Sequence, residues 1–143
     1  MKSLLLTVVC LFLVAAVVRS DSHEANEKFG ELMKDHVESC AEEHNISPTD
    51  MDKFADINLE GEERKKFGCM KACIMRGMDI MDGTAIKIET VKELIEKVYT
   101  DDDIIAKQVK VAEDCIEEVK DKTDECDIGF EFIRCTKIKS KDE

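Results

Sequence analysis

The chain has 143 residues, 38% of them charged, with a net charge of −12, a single proline, six glycines and no tryptophan. Such an acidic balance repels nucleic-acid phosphates and anionic lipid headgroups, which excludes nucleic acid as a partner. The scarcity of proline and glycine favours helices over a sandwich of short strands.

Residues 1–20 are read apart from the rest. Lys2 gives a positive start, Leu4 to Val18 is an almost unbroken apolar run, and Val18 and Ser20 stand before a cleavage point at Asp21. This is the pattern of a secretory signal peptide, and the run is shorter than the roughly 20 residues that span a bilayer. The leader takes Cys10 with it, so the seven cysteines become six: Cys40, Cys69, Cys73, Cys115, Cys126 and Cys135. An even set in a secreted chain implies three disulfides, with 15 pairings open to arithmetic alone. Residues 21–143 then suit one domain, and without Lys2 and Arg19 the net charge moves from −12 to about −14.

From Glu24 to about Glu43, Phe29, Leu32, Met33, His36, Val37 and Cys40 recur at steps of three and four, the mark of an amphipathic helix. Asn45 to Asp50 ends it. Pro48 suits a first helical turn, Ser47 can cap that turn, and a short helix to about Asp56 would turn Met51, Phe54 and Ala55 inward. Asn45-Ile46-Ser47 also fits a glycosylation sequon, weakened by the proline that follows.

After a loop from Asp56 to Gly61, a helix over Glu62 to about Gly77 carries Phe67, Met70, Cys73 and Ile74 on its apolar face. Cys69 and Cys73 lie one turn apart there, which makes this helix a hub if both are bridged. Gly77 is read as its terminator through a positive φ. Asp79 to Thr84 is an ordinary turn, because a calcium loop with Gly83 sixth would need an aspartate where Met78 stands. Ile88, Val91, Leu94, Ile95 and Val98 describe the next helix. Asp101 to Asp103 break the chain and cap another, which runs through Ile104, Val109, Ala112 and Cys115 to Val119. A last helix covers Cys126 to about Lys137, and the charged residues after Cys135 read as a loose tail.

The gaps between successive cysteines are 28, 3, 41, 10 and 8 residues. With the run Cys69-Met70-Lys71-Ala72-Cys73 and the Asp82-Gly83 turn before Ile86-Lys87-Ile88, the chain resembles the insect odorant-binding proteins, among them the pheromone-binding and general odorant-binding proteins. The resemblance covers residues 21 to 138. It implies the pairing Cys40 with Cys73, Cys69 with Cys126, and Cys115 with Cys135, in an all-α bundle of about six helices around an internal apolar cavity.

It further implies an extracellular carrier, in sensillar lymph or another body fluid, that binds small hydrophobic ligands and brings them toward receptors. Matched to the family pattern, the pocket residues are Met70, Ile74, Ile88, Val91, Ile95, Val109, Val111, Ala112, Phe130 and Ile133, with Phe29, Met33 and Phe54 as second choices. Met33, Met70, Met75, Met78 and Met81 would give the walls adaptability, since a thioether chain is flexible and polarisable. For Tyr99, a place at a helix end facing water is favoured over a role in orienting a ligand. Expected partners are the small apolar ligand, an olfactory receptor or a membrane surface at delivery, and at most one weakly bound second copy. The family's moth pheromone carriers have a long segment after the last cysteine that enters the pocket at acid pH, and Thr136 to Glu143 is too short and charged for that route. His36, His44 and the many carboxylates leave a weaker dependence on pH open.

No cofactor or metal is expected, because six paired cysteines leave no thiolate. A secreted phospholipase is disfavoured by the lack of a Cys-Cys-x-x-His run or any other catalytic constellation. A saposin-like domain places its close cysteine pairs near the chain ends, whereas here the close pair is central. A carrier of hormones, lipids or toxins outside olfaction is the alternative within the carrier class.

Overall fold

The computed structural model describes residues 24, 25 and 27 to 141, and the expected leader and its cleavage point lie outside them. Five α-helices and one 3-10 helix follow in chain order: α1 over 27–43, the 3-10 helix Pro48–Ala55, α2 Gly61–Gly77, α3 Ile88–Val98, α4 Asp102–Val119 and α5 Glu125–Lys141. Between α2 and α3 lies a two-stranded hairpin, β1 Met81–Asp82 and β2 Ala85–Ile86, with Met81 opposite Ile86 and Asp82 opposite Ala85. Gly83 opens its two-residue loop at φ +61°, as a primed hairpin turn requires. None of the described helices is long and apolar enough to cross a membrane.

The centre of the bundle is the pair α2 and α5, flanked by α4 on α5 and by α3 on α4. Glycines let the central backbones meet. A Cβ on Gly68 would stand 2.3 Å from the carbonyl oxygen of Cys126, and one on Gly129 would stand 2.7 Å from both the Gly68 oxygen and the Ala72 nitrogen. The Cys69–Cys126 bridge locks this close approach. Cys40–Cys73 ties α1 to α2 one turn further along, and Cys115–Cys135 ties α4 to α5. The hub helix is thus bonded to the first and the last helix.

Helix ends show the local causes at work. α1 and α2 both stop in a double hydrogen-bond closure: Ile46 N–H reaches the Ala41 oxygen at 2.8 Å, and Ile80 N–H reaches the Met75 oxygen at 2.8 Å. The left-handed residues that permit this are Asn45 (φ 56°) and Asp79 (φ 61°). Gly77 is therefore not the positive-φ terminator expected. It is small because α1 lies on it, and a Cβ there would meet His36 Nδ1 at 2.5 Å. Asp101 caps α4 as expected, accepting from Asp103 N–H at 2.8 Å and Ile104 N–H at 3.3 Å.

Four other expectations need correction. Ser47 caps no backbone group, and its hydroxyl donates to the Asp50 carboxylate at 3.1 Å instead. The helix that follows is 3-10, whose three-residue turn aligns Met51 with Phe54 and rotates Ala55 out to solvent. Leu32 is 42% exposed, because it lies about 100° around α1 from the inward Met33. The stretch after Cys135 is helical to Lys141 rather than loose: Lys139 pairs with Glu118 at 3.4 Å, and cations near a helix C-terminus suit its dipole.

Candidate apolar binding interior

Two clusters of buried side chains fill the interior. One lies among the end of α2, the hairpin, α3, α4 and α5, with Met75, Ile80, Met81, Val91, Val111, Ala112, Ile128 and Phe132 at its centre. The other lies among α1, the 3-10 helix and α2, around Cys40, Ile46, Phe67, Met70 and Ile74. Met78, half-buried just past the end of α2, packs against both. A flexible thioether at the junction of two apolar compartments can yield to a guest without breaking a polar network.

The residues favoured from sequence divide between these compartments. Val91, Val111 and Ala112 belong to the first cluster, and Ile88, Ile95 and Ile133 pack on its edge. Met70 and Ile74 are in the second, with Met33 and Phe54 against it. Val109 and Phe29 are half-buried outside both. Phe130 is 2% exposed and faces cations, with the guanidinium of Arg64 and the ammonium of Lys71 each 4.8 Å from its ring centre.

Lys71 is the residue that sequence reasoning passed over. It stands in α2 between the two bridged cysteines and is only 2% exposed, yet its Nζ has no hydrogen-bond partner among the described residues. The Phe54 ring lies 5.3 Å away and the Phe130 ring 4.8 Å away, so the ammonium rests on aromatic faces. Burial lowers its pKa to about 8, the positive charge of Lys137 works in the same direction, and Asp56 opposes both. A single lysine inside an apolar stripe gives no such signal, because a long stem commonly carries its charge out to water. Ile128 and Phe132, two turns and one turn before Cys135 in α5, were legible in principle from their spacing.

The nearby charges are already matched. Arg64 donates to Asp127 and to Glu131, the latter at 2.7 Å, and the hydrogen bond from Arg64, with a second from Lys122, holds the Asp127 carboxyl below its usual range. Lys137 Nζ donates to the Ala55 oxygen at 3.2 Å. Tyr99 is half-buried at the end of α3, beside a recess of about 10 Å³ lined also by Glu24, Lys28 and Ile104, and burial raises its pKa. An open groove of about 490 Å³ runs past His44, Asn45, Glu62, Glu63, Lys65, Lys66 and Cys69. Its lining shares nothing with the favoured residues. Glu43, His44 and Cys73 bring ligand-type atoms within 4.8 Å of one another, but the Cys73 sulfur is committed to Cys40.

Comparison with known proteins gives a consistent result. The model of the PBP/GOBP family matches residues 22–139. The pheromone-binding protein Gp-9 of Solenopsis globularia littoralis is 26% identical over 136 residues, covering 90% of this chain and 86% of that protein. General odorant-binding protein 2 of Antheraea pernyi is 24% identical over 110 residues, covering 75% of this chain and 69% of that protein.

Proposed function

Because the chain belongs to the PBP/GOBP family, we propose that it is an extracellular carrier which takes small apolar molecules into its interior and conveys them through aqueous lymph toward receptors. The observation that carries this reading is the pair of apolar compartments joined at Met78 inside a frame cross-linked by three disulfides. The cross-links fix where the helices stand, so the side chains between them can repack around a guest while the backbone frame persists. Apolar area removed from water on the ligand supplies the affinity, at roughly 25 cal/mol per Å², and shape supplies most of the selection.

The reading extends to secretion. The leader-like residues 1–20 and three disulfides both suit an oxidising extracellular fluid. The test is displacement of a fluorescent apolar probe from the oxidised, delipidated protein by a panel of alcohols, aldehydes, esters and fatty acids. Saturable probe binding with competitive displacement by some of the panel is expected. Failure of every apolar probe to bind would remove the carrier reading.

A further inference from the structure

Two buried side-chain nitrogens lack a hydrogen-bond partner among the described residues, His44 Nε2 and Lys71 Nζ, and of these two residues Lys71 alone is fully buried. The Lys71 ammonium has three donors, sits at 2% exposure and has no hydrogen-bond acceptor among the described residues. Its compensation comes from the Phe54 and Phe130 rings at 5.3 and 4.8 Å. Aromatic faces attract a cation, yet they leave all three N–H donors unmatched. Among the described residues, the other charges near this point have partners of their own, and Asp56, an acid whose charge opposes the effect of burial on Lys71, is among them. Arg64 is held by Asp127 and Glu131, Lys137 by the Ala55 oxygen, and Asp56 accepts from Asn58 N–H at 2.8 Å.

We propose that Lys71 is the polar anchor for a ligand made of an aliphatic chain ending in a carboxylate, with the chain lodged among the side chains around Met70 and Ile74 and the head group on the Lys71 ammonium. The proposal rests on the carrier reading and adds to it the chemical class of the ligand's polar end. A carboxylate supplies both the acceptors and the opposite charge, whereas an alcohol or ester oxygen supplies an acceptor alone. The route to Lys71 passes Phe54. That ring belongs to the 3-10 helix, which contributes no fully buried residue and is thus weakly held by burial.

Since the net charge of −12 disfavours any anion, a preference for an acid over its own ester points to a local cation. The test compares lauric acid, methyl laurate and dodecanol as competitors for a fluorescent apolar probe at neutral pH, on the native protein, Lys71→Met and Lys71→Arg. The native protein should bind the acid about tenfold or more tighter than the ester, the usual worth of one charge-assisted hydrogen bond. Lys71→Met should lose that preference, its affinity for the acid falling to that for the ester or below, and Lys71→Arg should retain part of the preference. An acid preference unchanged in Lys71→Met, or an ester preference in the native protein, would overturn the proposal with the carrier reading intact. Absence of binding by probe and all three competitors would remove both.

A second measurement needs no variant. Carboxyl-labelled lauric acid bound to the native protein should remain ionised down to about pH 5, because a facing ammonium stabilises the carboxylate. A bound carboxyl that is protonated there would place the head group in apolar surroundings away from Lys71.

Discussion

Lys71 sits in α2 with its charge removed from water and unmatched by any acceptor among the described residues, so the fold bears a cost at neutral pH. Its pKa is lowered from 10.5 to about 8 by burial first. Between those two values the unfolded chain binds more protons than the folded one. Stability should therefore rise as pH climbs from about 8 toward 10.5, and below 8 the cost is complete at about 3 kcal/mol. Lys71→Met should raise stability at pH 7 by an amount of that order and lack the rise above pH 8. Tyr99, whose pKa is raised, acts in the opposite sense near pH 10, so the difference between the two proteins in urea unfolding isolates Lys71. Equal stability at pH 7 and parallel pH profiles would show that the ammonium is solvated.

Glycines give a second contrast at this scale. Gly129→Ala forces a Cβ to within 2.7 Å of the α2 backbone, and overpacking of this kind costs about 1–3 kcal/mol. Gly30→Ala, in α1 with nothing within 4 Å of its Cβ, should instead add about 0.5–1 kcal/mol through helix propensity. Urea unfolding of the two variants should move in opposite directions. Neither role could be read from the sequence, where both glycines simply interrupt helical patterns. The difference lies in which backbone passes opposite.

Among the elements, those set by local chemistry were the legible ones. Apolar spacing placed α1, α3 and α4 to within about three residues, and Asp101 marked the start of α4. What escaped depended on tertiary partners. The 3-10 geometry of Pro48–Ala55 follows from how Met51 and Phe54 seat on the second cluster, and the last turns of α5 are held by Glu118 and Gln108 of α4. α1 is an element whose attachment can be tested separately. Its tether to α2 is Cys40–Cys73, closing a separation of 33 residues, and Cys40→Ser with Cys73→Ser should cost about 2–4 kcal/mol. Amide exchange should accelerate over 27–43 ahead of α2, α4 and α5. A uniform acceleration would show that the bridge constrains the unfolded chain without holding α1 in particular.

For the molecule as a whole, the six cysteines were the most informative feature of the sequence, because their spacing pointed to a family and the family implied a pairing, a helical frame and an apolar interior. The candidate pocket residues were chosen only as a class. Apolar helix faces supply core and cavity wall alike, so Val91 and Ile74 look equivalent in sequence although they lie in separate compartments. The junction at Met78 was invisible for the same reason. A residue just past a helix end has no periodic partner to announce which way it turns.

The most direct test is a methyl NMR titration of the oxidised, delipidated protein, labelled at methionine, with dodecanol. Met70 and Met75 report one compartment each, and Met78 reports their junction. A carrier whose guest occupies this interior should show saturable shifts at Met78 and at Met70 or Met75, complete at one ligand per chain. Resonances of these three methyls that stay unmoved while dodecanol binds would place the ligand elsewhere and contradict the assignment of the interior as the binding site.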